Sequence, residues 1–278
     1  MSPQPAFELP AAVEVLSGTA SPADRLVVRA DNGWPYEILE LGAATLKLAL
    51  AQAGASLLRL LGIFTADIHL LRVPPELIRH LRRHDGTSRG GLTAVAAALP
   101  VDPLCQPLSS TLPAEAAEAV INWDDLLGVA VADVWTGCRQ GHRRWYCRRG
   151  PWWICTVAGE EILAPVLESS SHRSRAGDGW PEVDLAGFGA TDVDQWVQRI
   201  EKLPEHALAS VLEPLASAGH GAGSLSPIAA SIQGWLLGRR RELRDEVMTI
   251  LGPKLAPSRT EAAKQASSRP GSSKCRCS

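Results

Sequence analysis

Apolar positions recur with a two-residue rhythm in the front part of this chain and with a helical rhythm in the back part. Leu26, Val27 and Val28 run into Asp31-Asn32-Gly33, and Tyr36 to Leu39 follow. Apolar runs around Asn-Gly predict a β-hairpin over residues 25–41 with a type I′ turn, because both central residues of that turn need positive φ. Pro35 lacks an N–H and so predicts an edge strand. Residues 45–61 are rich in Ala and Leu, the best helix formers, and Gly62 marks the end of a helix there. Ile68, Leu70 and Arg72 alternate with Asp67, His69, Leu71 and Val73 as in a strand. Pro74-Pro75 then opens a short helix through Ile78 and Leu81.

Residues 85–112 are Gly-, Ser- and Pro-rich around a short Ala run, which predicts a loop or crossover. Asn122 next predicts a helix cap, with Asp124 and Asp125 in the first turn, where the helix dipole favours acids. That helix carries Leu126, Leu127, Val131, Val134 and Trp135. A second hairpin follows, from Trp145-Tyr146-Cys147 through a turn at Gly150-Pro151 to Trp152–Val157. Val193, Trp196, Val197 and Ile200 then recur at helical spacing behind Asp192. Pro204 starts a helix with Leu208, Val211, Leu212 and Leu215 on one face. Ile228, Ile232, Trp235 and Leu236 begin a last helix, which Gly252-Pro253 stops. Residues 256–278 offer almost no large apolar group and are expected to be disordered. A β-rich part followed by a helical part predicts an α+β fold.

Composition narrows the classes of function. The chain has 278 residues, 45% apolar and 21% charged, which suits one or two domains with a real core. A net charge of −2 excludes a molecule built as a whole to coat nucleic acid or an anionic membrane. No apolar run reaches the roughly 20 residues of a membrane span. The start, MSPQPAFELP, has neither a basic nor an apolar signal region, so no membrane partner and a cytoplasmic location are expected. Cys105, Cys138, Cys147, Cys155, Cys275 and Cys277 form no C-x-x-C pair, so free thiols in a reducing compartment are expected rather than a zinc site.

Taken in order, these strings resemble the HipA-like serine/threonine protein kinase family. Leu26–Leu41 is similar to the family's strand, Gly-containing turn and strand that ends in an ATP-contacting Lys. Leu61-Gly62-Ile63 and the stretch Asp67–Val73 are similar to its Leu-Gly pair and the strand beyond. Leu127-Gly128-Val129, leading to Asp133-Val134-Trp135-Thr136, looks like the central helix before the catalytic loop. Trp235–Leu243 looks like the closing Leu- and Arg-rich helix. The resemblance implies a two-lobed, kinase-like α+β fold, with a small β-rich N-terminal lobe, a mostly helical C-terminal lobe, and ATP between them. On that expectation, residues 1–20 are an N-terminal extension and 21–255 the kinase-type domain. The domain divides into an N-lobe over 21–84, a loop over 85–112 and a C-lobe over 113–255, and 256–278 form a tail.

The family's catalytic positions fall on residues unsuited to its chemistry. Phosphoryl transfer needs a Lys on the phosphates, a carboxylate holding that Lys, an Asp beside the attacking hydroxyl and oxygen ligands for Mg²⁺. The resemblance places the Lys on Leu39, its Glu on Ala51, the catalytic Asp on Gln140, one metal ligand near Trp145 and the other on Thr156. The charge nearest Leu39 is Glu40, of the wrong sign. No Asp, Glu or Asn occurs between Val134 and Gly159. No G-x-x-x-x-G-K-[ST] string supplies another phosphate site. The expected protein is therefore a catalytically degenerate family member that acts by binding a protein partner. One alternative is a divergent kinase that takes ATP and Mg²⁺ through Gln140 and an acid such as Asp178 or Asp184. Another is a basic-loop module that binds nucleic acid or a protein.

Several single residues carry competing readings. Asp133 and His142 are the surviving loop residues with acid–base chemistry; Asp133 reads as structural, and His142 reads as solvated or as a general base. Cys138 and Cys147 have arginines nearby, which favour the thiolate. Arg139, Arg143, Arg144, Arg148 and Arg149 lie among Trp145, Tyr146, Trp152 and Trp153. They suit phosphate or partner binding, or else a solvated basic loop over a Trp-filled core. Arg239-Arg240-Arg241 reads as a solvated helix face, with Arg241 paired to Asp245.

Overall fold

The computed structural model describes residues 9–17, 27–41, 45–77, 92–99, 106–107, 120–138, 143–148, 152–159, 162–167, 185, 187–217 and 225–255. The fold is α+β. A five-stranded antiparallel sheet contains β1 (Ala12–Ser17), β2 (Val27–Ala30), β3 (Pro35–Leu41), β4 (Asp67–Val73) and β5 (Leu92–Ala98), in the order β1-β2-β3-β5-β4. Helix α1 (Thr45–Leu60) lies between β3 and β4 in sequence. A smaller sheet, β6-β7-β8, is made of Gln106–Pro107, Arg143–Arg148 and Trp152–Val157. The helices after α1 are α2 (Asp125–Thr136), α3 (Ala164–Leu167), α4 (Ala190–Glu201), α5 (Glu205–Ser217), α6 (Ser226–Arg239) and α7 (Leu243–Leu251).

The β2–β3 hairpin forms where expected, but with a different turn. Gly33 N donates to Ala30 O (2.9 Å), Ala30 N donates to Trp34 O (2.9 Å), and Gly33 is the glycine at φ +82°. This is a three-residue loop with glycine in the left-handed position, the alternative to a two-residue Asn-Gly turn. Asn32 is freed for side-chain work: its Oδ1 accepts from Trp34 N, and its Nδ2 donates to the Tyr36 hydroxyl, both at 3.0 Å. Pro35 does not mark an edge. It is the first residue of an interior strand, where a missing N–H costs no ladder bond.

Two other expectations are corrected here. Residues 12–17, placed in an N-terminal extension, form strand β1 and pair with β2. Residues 92–98, placed in a loop, form the strand between β3 and β4. Ala is a poor strand former, yet this strand is covered on both faces. Ala94 and Ala96 pack with Ala12, Val28, Ala30, Tyr36, Ile38, Leu71 and Val73, whereas Val95 and Ala97 face the core shared with α1. Small side chains let both layers approach.

The sheet nearly closes on itself. Ala11 bridges Arg72 in parallel, and Arg72 N donates to Pro10 O (2.9 Å), so the chain entering β1 touches the far strand β4. Alternate residues of each strand fill the interior of this curled sheet. The other face joins one continuous apolar core that runs from Val27 and α1 through α2 and α4 to Leu251 in α7.

The helical part follows its periodicity. Val193, Trp196, Val197 and Ile200 of α4, and Leu208, Val211, Leu212 and Leu215 of α5, are all buried. The expected last helix is two helices, broken at residues 240–242. The turn of helix beginning at Pro75 is present, and its continuation past residue 77 lies outside the described residues, as does 256–278. Among the described residues no helix is long and apolar enough to cross a membrane.

Candidate functional site

Leu39 and Ala51 meet the same core. In β3, Ile38 pairs with Ala96 and Glu40 with Val95, so Leu39 is the extra residue of a β-bulge. A bulge re-aims a side chain, and Leu39 packs against the α1-side core. Ala51, in α1, is 1% exposed within that core. Sequence reasoning missed a carboxylate two residues before the bulge. Glu37 lies directly across from Val27 and Ala97, on the α1-facing side of the sheet, and is 0% exposed. Its alternation with Tyr36 and Ile38 reads as an ordinary solvent-facing polar residue; nothing local says that a helix covers it.

Thr156 sits in β8, fully buried, and its hydroxyl has no hydrogen-bond partner among the described residues. Its backbone is fastened to the loop after α1: Thr156 N donates to Phe64 O, and Ala66 N donates to Thr156 O, each at 2.9 Å. Asp133 is buried in the last turn of α2, where its carbonyl accepts from Cys138 N at 2.9 Å. Cys138 and Cys155 are buried and form no disulfide, so Cys138 is not presented as a nucleophile. Arg143, Arg144 and Arg148 belong to strand β7 rather than to a loop. Arg139, Gln140, His142 and Arg149 lie outside the described residues.

The loop from Leu61 to Ala66 is the joint between the five-stranded sheet and the helices. Gly62, at φ +86°, turns the chain out of α1. Arg199 of α4 donates to Leu61 O (3.1 Å) while stacking on Trp196, 4.1 Å from its ring. Arg59 donates to Ala66 O (2.8 Å). Asp125 Oδ2 accepts from Phe64 N (3.0 Å) and from Asn122 Nδ2 (2.7 Å). Asn122 does not cap α2 as expected. Its amide acts as a strand partner for β8 instead, donating to Ile154 O and accepting from Ile154 N, both at 2.8 Å. The free edge of β8 is thereby covered by one side chain and one loop, which stops it recruiting another strand.

Burial raises the pKa of the Asp125 carboxyl above its usual value, and Asp124 adds to this. The bonds from Phe64 and Asn122, and the nearby Arg199 charge, oppose it. The folded chain therefore holds this proton more tightly than the unfolded chain does. The stabilisation is fully present below the unfolded pKa and is lost as pH rises through the raised folded one. Asp125→Asn keeps an oxygen for both donors and removes the ionisation. It is expected to flatten the pH dependence of stability between acidic and neutral pH, with a gain at the neutral end. Urea midpoints across that range provide the check, and parallel curves for the two proteins would contradict the assignment.

Arg239 and Arg240 at the end of α6 are not a solvated face, whereas Arg241 beyond them is exposed as expected. Arg239 Nη2 donates to Val134 O (2.7 Å) in the last turn of α2 and pairs with Glu246 at 2.6 Å. A cation there adds a charged donor to a carbonyl that also accepts from Gly137 N, and it complements the helix dipole. Arg240 donates to Leu203 O (2.8 Å), and burial lowers its pKa. The ion pairs among the described residues do not include the expected one between Arg241 and Asp245.

Among the described residues no three His, Cys, Asp or Glu side chains are grouped to hold a metal. A groove of about 470 Å³ lies between α5 and α6, lined partly by His206, Ser210, Glu213 and Gln233, on elements that carry none of the positions expected from the resemblance to be catalytic. No protein-family model matches this chain, and no curated protein matches it.

Proposed function

We propose that this chain is a degenerate HipA-like, kinase-type protein that works by binding rather than by phosphoryl transfer. The order of strand, turn, strand, helix and strand supports the resemblance, since kinases carry the phosphate-binding Lys on the third strand and its Glu on the next helix. On this reading the five-stranded sheet with α1 is the N-lobe and the later helices are the C-lobe. The observation that carries the loss of chemistry is the environment of Leu39 and Ala51. The positions of the Lys–Glu pair belong to one apolar core, with Ala51 almost wholly enclosed. Thr156 brings a neutral hydroxyl where a metal ligand would stand.

The test is thermal shift with ATP and Mg²⁺ beside radiolabel transfer. A ligand at 100 times its Kd stabilises by about 2.7 kcal/mol, a readily visible shift. The expected outcome is neither a Mg²⁺-dependent shift nor label on any protein substrate. Mg²⁺-dependent autophosphorylation that is lost in Asp133→Ala or Gln140→Ala would overturn the reading.

A further inference from the structure

The outer side of α6 departs from that of an ordinary surface helix. Such a helix carries charged residues on its solvent side, yet α6 has no Asp, Glu, Lys, Arg or His from Ser226 to Gly238. Pro227, Ala230, Ser231 and Gly234 are nevertheless exposed, while Ala229, Ile232 and Leu236 are the residues it buries. Helix α5 runs beside it, with Gln233 Nε2 donating to Glu205 O (3.3 Å) at one end. The groove of about 470 Å³ lies between the two helices, and Ala230 is part of its lining.

The titratable side chains in this groove are His206 and Glu213, both exposed. They lie two turns apart on one side of α5, about 10 Å, too far to pair with each other. Among the described residues neither side chain has an ion-pair or hydrogen-bond partner. Elsewhere in the helical part such groups are matched within the chain, Asp194 with Arg244 and Glu246 with Arg239. The spacing in α5 complements itself instead. A second α5 laid antiparallel, with a two-fold axis between Ala209 and Ser210, sets each His206 opposite Glu213 of the other copy. An imidazole N–H can donate to a carboxylate in either protonation state of the ring.

We propose that the α5–α6 face joins two copies of this chain about a two-fold axis. A two-fold interface uses the same patch on both copies, so the patch must complement itself. This one does so in charge, and the groove of each copy receives α5 of the other. Burying α6 removes no ion from water, which keeps desolvation cheap. A partner of uniform charge would satisfy only one of His206 and Glu213. The inference does not rest on the kinase-like reading, since this face carries none of the positions expected to be catalytic. The contact is small, so the association is expected to be weak and reversible.

The test is sedimentation equilibrium of the full-length protein from micromolar to submillimolar concentration, where a monomer–dimer equilibrium is expected. Ala230→Arg puts bulk and an unmatched charge into the groove and is expected to raise the dissociation constant at least about tenfold. His206→Glu sets carboxylate against carboxylate at both ends of the contact and is expected to raise it about tenfold. Adding Glu213→His to His206→Glu inverts both pairs and is expected to restore dimerisation to near the wild-type level. All three positions are exposed, so the variants should fold, and their melting curves verify this. Three results would each overturn the proposal: a monomer at every concentration, a dimer unaffected by Ala230→Arg, or a double variant that associates no more tightly than His206→Glu alone.

Discussion

Ala51→Glu is expected to destabilise the protein by about 4 kcal/mol, the scale of an uncompensated charge in a core. Ala51 faces inward on α1, a helix that packs on β4 and on α5, and it is enclosed on all sides. A carboxylate there either ionises without water or takes up a proton and still lacks a partner. Urea unfolding measures the loss, with Ala51→Met separating the cost of volume from that of charge. Adding Leu39→Lys to Ala51→Glu is expected to recover only part of the stability, since a pair in this setting must overcome the desolvation of both ions. A cost for Ala51→Glu below about 0.5 kcal/mol, the usual range for an exposed site, would mean that position 51 opens onto water or a ligand. That result would reinstate a nucleotide site beside β3.

Gly128→Ala is expected to cost about 2–3 kcal/mol through overpacking. A Cβ at this point of α2 would lie 2.5 Å from Cη2 and Cζ2 of Trp196. The indole cannot easily retreat. Its Nε1 donates to Asp124 (3.1 Å), Arg199 covers its face at 4.1 Å, and the ring is almost fully buried. Because Arg199 also holds Leu61 O, displacing the ring disturbs the joint after α1. A double-mutant cycle with Trp196→Leu tests the cause: most of the Gly128→Ala cost is expected to vanish once the indole has been replaced. Strict additivity of the two costs would rule out the clash as its source.

The parts that were legible in the sequence carry their signal locally. The β2–β3 hairpin, α1 with its Gly62 exit, and the buried faces of α4 and α5 each follow from spacing within one element. Strand β5 did not, because Leu92–Ala98 is mostly Ala in a Gly- and Ser-rich setting, and its suitability depends on two layers contributed by distant residues. Asn122 showed a similar limit. Its position before a helix suggests a cap, yet its partner is a backbone 32 residues away. Arg239 and Arg240 look like surface charge until α2 and Leu203 are brought beneath them. On the proposed kinase-like reading, the residue types at Leu39, Ala51 and Thr156 could be seen in one dimension, whereas the burial of Ala51 and Thr156 could not.

The strand order has a consequence for the growing chain on the ribosome. β1, β2 and β3 form a meander that can pair as soon as they emerge, but β4 has no lateral neighbour among them apart from its contact with Pro10 and Ala11. Its ladder partner is β5, which also completes β3, and β5 is the last of the five strands to be synthesised. Until residue 98 is out, both β3 and β4 keep an open hydrogen-bonding edge, the kind of surface on which nascent chains associate wrongly. Synonymous codons that slow translation between Val73 and Leu92 are therefore expected to lower soluble yield without changing the purified protein.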